Sequence, residues 1–194
     1  MNDTGKESFE QDYILEVEPL DLGVDVRAVG LELIGRGNRE PVRGADGARV
    51  WGRVLPALGA VEPWALDFFS HLDRVRDFCS RRQIPFRQAA ERCMVIDHPD
   101  GEWLDDLLLR FEGETFGVRC GEKLSEGDPL LEQDLARRGV DAYHPAYPAY
   151  SYCGVCDFEN GFLTLLTRKL WASEVIRRLA PVVQDLGVEV AIPK

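Results

Sequence analysis

The chain has 194 residues, 45% of them hydrophobic and 29% charged, with a formal net charge of −11. That composition suits a globular protein with a sizeable core. The sequence contains no apolar run of about 18 residues, which excludes a membrane-spanning helix, and the acidic balance argues against a dedicated nucleic-acid binder.

The charge is segregated. Residues 1–26 carry a net −7, residues 27–92 a net +4, residues 93–136 a net −9 and residues 137–194 a net +1. Arginine supplies 19 of the 23 basic residues, which favours forked ion pairs and protein contacts over diffuse lysine solvation. The first residues are polar and acidic and lack the apolar stretch of a secretory signal. Five cysteines without disulfide-scaffold density then read as reduced thiols in a cytoplasmic setting.

Residues 1–12 read as a mobile polar leader and 13–194 as a single α+β domain. Tyr13–Val17 and Val24–Ile34 have strand character, the second through alternation of apolar and polar residues. Ala48–Leu55 alternates again, which predicts a third strand of an N-terminal antiparallel β-ribbon. A first main helix is predicted over 63–82, with Pro63 at its first position and Trp64, Phe68, Leu72, Val75 and Cys79 as an apolar stripe. Pro85 stops it.

Cys93–Ile96 reads as a buried strand and Asp97–Gly101 as its turn. Leu107–Phe111 and Thr115–Cys120 suggest a hairpin around Glu112-Gly113-Glu114. Asp128-Pro129 opens a short helix that Gly139 ends. Asn160-Gly161 is a turn signal between Tyr152–Phe158 and Phe162–Leu166, which places a hairpin there. A second main helix is predicted over 167–186, carrying Trp171, Val175, Leu179, Val182 and Leu186 on one face and Pro181 within it. Gly187 ends it, and Val188–Ile192 forms a last strand. The expected fold is α+β, with a mixed or antiparallel sheet, two main helices and the N-terminal ribbon.

The segment from Tyr143 to Cys156 concentrates groups that stack, ligate or react. Four of the five tyrosines fall between Tyr143 and Tyr152, and the Cys153-x-x-Cys156 pair follows at once. Tyrosine is enriched at interfaces because it offers a large ring with a polar tip. Tyr147, Tyr150 and Tyr152 are therefore the predicted anchors of a surface that binds a protein partner, with Asp105, Asp106 and Glu114 as an acidic rim. The competing reading has a proline-stiffened loop whose rings cover the core.

Cys153 and Cys156 have three readings: packing residues, zinc ligands or a redox dithiol. Zinc needs two further ligands, for which His144 and Cys120 are the candidates, with Cys93 and His98 behind them. On a regular strand, residues three apart point to opposite faces, which opposes convergence, although Gly154 allows a local knuckle. A thioredoxin-like site needs a helix after the pair, and Asp157–Gly161 reads as a turn.

Asp97, Asp100, Glu102, Asp105 and Asp106 around His98 read as a solvated turn rather than a cation loop. His71 reads as a packed or surface histidine. Gly35-x-Gly37 lacks the third glycine and the helix of a dinucleotide fingerprint. No phosphate-binding loop, nucleophile elbow or His-Glu-x-x-His helix is present. The leading functional reading is a protein-binding or regulatory module. The alternative is a metal- or thiol-dependent protein centred on Cys153 and Cys156. A third option, acidic faces that imitate nucleic acid, conflicts with the Arg-rich middle.

Overall fold

A computed structural model of the chain describes residues 12–21, 27–59, 64–68, 70–90, 93–97, 99, 103–112, 115–123, 150–157, 161–167 and 172–193. Its strands are β1 (Tyr13–Asp21), β2 (Arg27–Gly35), β3 (Trp64–Phe68), β4 (Arg87–Ala90), β5 (Cys93–Asp97), β6 (Thr115–Lys123), β7 (Tyr150–Asp157), β8 (Phe162–Thr167) and β9 (Val188–Ala191). Its helices are α1 (Gly44–Gly59), α2 (Leu72–Arg82), α3 (Trp103–Arg110) and α4 (Ala172–Val183), the last followed by a 3₁₀ turn over Gln184–Leu186. The strands form one sheet in the order β4-β5-β3-β6-β7-β8-β2-β1-β9. Neighbours are antiparallel except β1 and β9, which are parallel. The fold is α+β.

One face of the sheet is covered by the helices. Leu15, Val17, Leu31, Leu33, Leu66, Phe68, Met94, Ile96 and Leu163 share a core with Trp51, Leu55, Val75, Leu104, Leu107, Val175 and Leu179. Strand alternation turns the intervening residues to the other face. There Ala65 and Val95 form a separate buried pair, and Glu16 stands directly opposite Glu32. Two carboxylates so placed repel. Arg39 answers this with a forked pair of hydrogen bonds to Glu16, at 2.9 and 3.0 Å. To do so it adopts a left-handed backbone, φ 59°.

Three predicted elements change type. Ala48–Leu55 is part of α1, where Ala48, Trp51, Leu55 and Leu58 are buried at helical spacing. Its eight residues also satisfy alternation, and Pro56 hid the continuation. The predicted helix over 63–82 splits into β3 and α2. Trp64 and Phe68, four apart, share a face in a strand as well as in a helix. His71, with left-handed φ 47°, begins α2, and its carbonyl accepts from the amides of Arg74 and Val75. Leu107–Phe111 belongs to the end of α3 and the turn after it. Leu104, Leu107, Leu108 and Phe111 are buried at spacings of three, one and three, while Leu109 is exposed.

β4, the edge strand paired with β5, had no counterpart in the sequence reading, and the remaining predicted elements within the described residues match expectation. β1 and β2 form the N-terminal antiparallel ribbon, β5 is buried at Met94, Val95 and Ile96, and β7 pairs with β8 across the predicted turn. The predicted helix over 167–186 is α4 plus its 3₁₀ turn, because Thr167 still pairs within the sheet. Gly187, with φ 69°, closes that turn. The polar leader before Asp12, Trp171 and the predicted helix over 128–139 lie outside the described residues.

Candidate functional site

The register of the central strands separates a structural half of the sheet from a chemically mixed end. In the register, Phe68, Phe116, Cys156, Leu163 and Leu31 are in line across β3, β6, β7, β8 and β2. One row along, Leu66, Val118, Gly154, Leu165 and Val29 are in line. Both rows are dominated by apolar residues. The next row is different: Trp64, Cys120, Tyr152, Thr167, Arg27 and Asp21. Every member of that row carries a hydrogen-bonding, titratable or stacking group.

The same end of the sheet receives the longest connection. Lys123 pairs with Tyr150, so residues 124–149 join two adjacent central antiparallel strands. A hairpin needs only about two to five residues for that purpose. Strand directions also bring the connections 22–26, 60–63, 98–102 and 168–171 to this end. At the far end the β7–β8 connection spans only residues 158–161. Rigid strands that carry elaborated loops at one end are a common way to mount a binding surface.

The predicted anchors divide accordingly. Tyr150 and Tyr152 have their backbones in β7, and Cys120, Cys153 and Cys156 have theirs in β6 and β7; their side chains lie outside the described ones. Tyr147, His144, His98 and Glu114 lie outside the described residues altogether, as does the side chain of Cys93. The register from Tyr152 to Asp157 is unbroken, with Cys153 opposite Leu166 and Cys156 opposite Leu163. These strand positions belong to opposite faces. The backbones of Cys120 and Cys156 are two rows apart in the register, about 13 Å along the strand at the ordinary rise. Among the described residues, no group of three or more His, Cys, Asp and Glu side chains could hold a metal ion.

The acids of α3 are engaged. Asp106 is ion-paired with Arg82 of α2. Asp105 is tucked against α1, where a Cβ on Gly52 would lie 1.9 Å from its Oδ1. Loss of water there raises the Asp105 pKa, the nearby Arg53 lowers it, and Asp106 raises it further. Glu112, which the sequence placed in a turn, accepts a hydrogen bond from the Gly44 amide at the start of α1.

The sequence reading missed the arginines of α2 and α3. Arg82 and Arg110 both lie over the Phe78 ring, at 5.0 and 5.5 Å, and Arg74 lies over Phe111 at 5.2 Å. The signal was available as Arg74, Phe78 and Arg82, each four residues apart. Reading 107–111 as a strand concealed the partner helix. Cys79, on the same helix, is buried, and burial raises its thiol to about 11, so it is a packing group.

Among the described residues, no helix is long and apolar enough to cross a membrane. Compared with known proteins, the chain matches no family model, no curated protein and no solved structure.

Proposed function

We propose that this protein is an acidic protein-binding or regulatory module. It engages a protein partner through the tyrosine-rich segment 143–152 at the mixed end of its sheet. The observation that carries this reading is the β6–β7 connection. Its 26 residues, 124–149, join neighbouring strands that a short turn could join, and they include Tyr143 and Tyr147. Tyr150 and Tyr152 stand where that connection enters the sheet. Tyr147 is the primary anchor in this arrangement, and Tyr150 and Tyr152 link it to the scaffold. The net charge of −11 disfavours nucleic acid as the partner. The cytoplasm is the setting this reading takes, from cysteine usage.

The test is affinity capture from the native cells with quantitative mass spectrometry, comparing the parent protein with Tyr147→Ala. One discrete partner is expected to be lost while thermal stability stays within about 0.5 kcal/mol of the parent. Retention of every partner by Tyr147→Ala would overturn the reading. Elemental analysis of the untagged protein separates the alternative. Near-stoichiometric zinc or iron would move the site to Cys153, Cys156, Cys120 and His144 and require a break in the β7 register.

A further inference from the structure

All four helices pack on one face of the sheet: Trp51, Val75, Leu107 and Val175 share a core with Leu15, Leu31 and Leu163. The intervening residues of β1, β2, β8 and β9 belong to the other face, among them Glu16, Glu18, Glu32, Phe162 and Glu189. Four carboxylates stand there against the guanidiniums of Arg36 and Arg39. Both guanidiniums are engaged, Arg36 by Glu189 and Arg39 by Glu16. Glu18 and Glu32 are exposed and have no ion-pair partner among the described residues. Phe162 is directly opposite Glu32 in the β2–β8 register and is 39% exposed. On its other side the register places Asp157 of β7.

The fold requires neither group. Glu32 faces Glu16 across the ribbon, where like charges destabilise, and a glutamine would fill the place without repulsion. Phe162 leaves part of its ring in water, where threonine would suit the strand as well. Together the two groups suit one chemistry. A guanidinium is planar and permanently charged, so it stacks on an aromatic face while its N–H fork reaches a carboxylate beside the ring. Opposite residues of an antiparallel pair have Cβ atoms about 5 Å apart, a span that one guanidinium covers. We propose that the open face of β1, β2 and β8, centred on Glu32 and Phe162, docks an arginine-bearing basic segment of a protein partner. Glu18, diagonal to Glu32 across the ribbon, receives a second basic residue of that segment. The net charge of −11 adds long-range attraction. This surface is independent of the tyrosine reading and goes beyond it.

The test uses fluorescence anisotropy with a fluorescein-labelled peptide of Gly-Arg-Ser repeats against the full chain, at about 0.15 M salt so that diffuse attraction is screened. A Gly-Lys-Ser peptide of the same length is the comparison. Saturable binding of the arginine peptide is expected, with the lysine peptide at least about threefold weaker. Glu32→Gln and Phe162→Leu should each raise the Kd of the arginine peptide about three- to fivefold. Asp73→Asn, which removes an exposed carboxylate of α2, should leave it unchanged. Phe162→Leu keeps an apolar side chain in place, Glu32→Gln relieves a repulsion, and circular dichroism checks that each variant is folded. No saturable binding, or an equal loss in Asp73→Asn, overturns the proposal. Equal affinity for the two peptides, with no effect of Phe162→Leu, overturns it in favour of unspecific charge attraction. A dimer of the parent chain that Phe162→Leu dissociates would reassign the face to self-association and also overturn it.

Discussion

Replacing Arg39 probes how the exposed face of the β1–β2 ribbon tolerates its acids. Glu16 is 8% exposed and faces Glu32 across the strand pair. Both its oxygens accept from Arg39, whose own side chain is 59% exposed. A fully buried pair costs about 3–5 kcal/mol to break and a surface pair under about 1 kcal/mol. With one partner buried and the other in water, Arg39→Ala should cost about 2 kcal/mol. For a chain of this size that is roughly 4–8 °C in Tm. Arg39→Gly removes the same guanidinium but suits φ 59°, so it should be about 1 kcal/mol less destabilised than Arg39→Ala. In a Glu16→Gln background the cost of Arg39→Ala should shrink by at least about 1 kcal/mol. Urea denaturation of the four variants and the parent gives all three quantities. Equal stability of Arg39→Ala and the parent, or no coupling to Glu16, would refute this reasoning.

Other expectations follow from single contacts. Gly161→Ala places a Cβ 2.8 Å from the Leu33 carbonyl oxygen at φ 66°, and a loss of about 2–4 kcal/mol in urea melts is expected. Gly52→Ala should be destabilising alone but neutral or stabilising with Asp105→Ala, which frees the space and leaves a helix gain of about 1 kcal/mol. Cys79 should resist alkylation at pH 8 in the folded protein and react on unfolding. Because its thiol rises from 9.0 to about 11, its stabilising share is intact below pH 9 and is lost as pH climbs towards 11. Glu174 falls from 4.5 to about 2 through hydrogen bonds from Arg177 and Arg178. Its contribution is present above pH 4.5 and fades as pH drops towards 2, so Glu174→Gln should flatten the acid limb of a stability–pH curve there.

How much of this was legible depended on the length of each pattern. Nine paired residues of β1 and β2 give an alternation that no helix imitates, and Asn160-Gly161 announces the β7–β8 hairpin. Short apolar runs such as 48–55, 64–68 and 107–111 fit both periods, and only the helices and strands packed against them decide. The row of Trp64, Cys120, Tyr152, Thr167, Arg27 and Asp21 was invisible because it is made by register, not by nearness in sequence. The tyrosine cluster was visible, but its split between a 26-residue connection and the start of β7 was not. The acids Asp105 and Asp106 looked like a free rim because their partners, Gly52 and Arg82, come from other elements.

The most direct test of binding through the tyrosine segment is photocrosslinking from a benzoylphenylalanine placed at Tyr147, with a second placed at exposed Ser80 on α2 as the comparison. The expected result is one discrete covalent adduct with a single protein from position 147 and none of it from position 80. No adduct at 147, or the same adducts at both positions, would contradict the assignment.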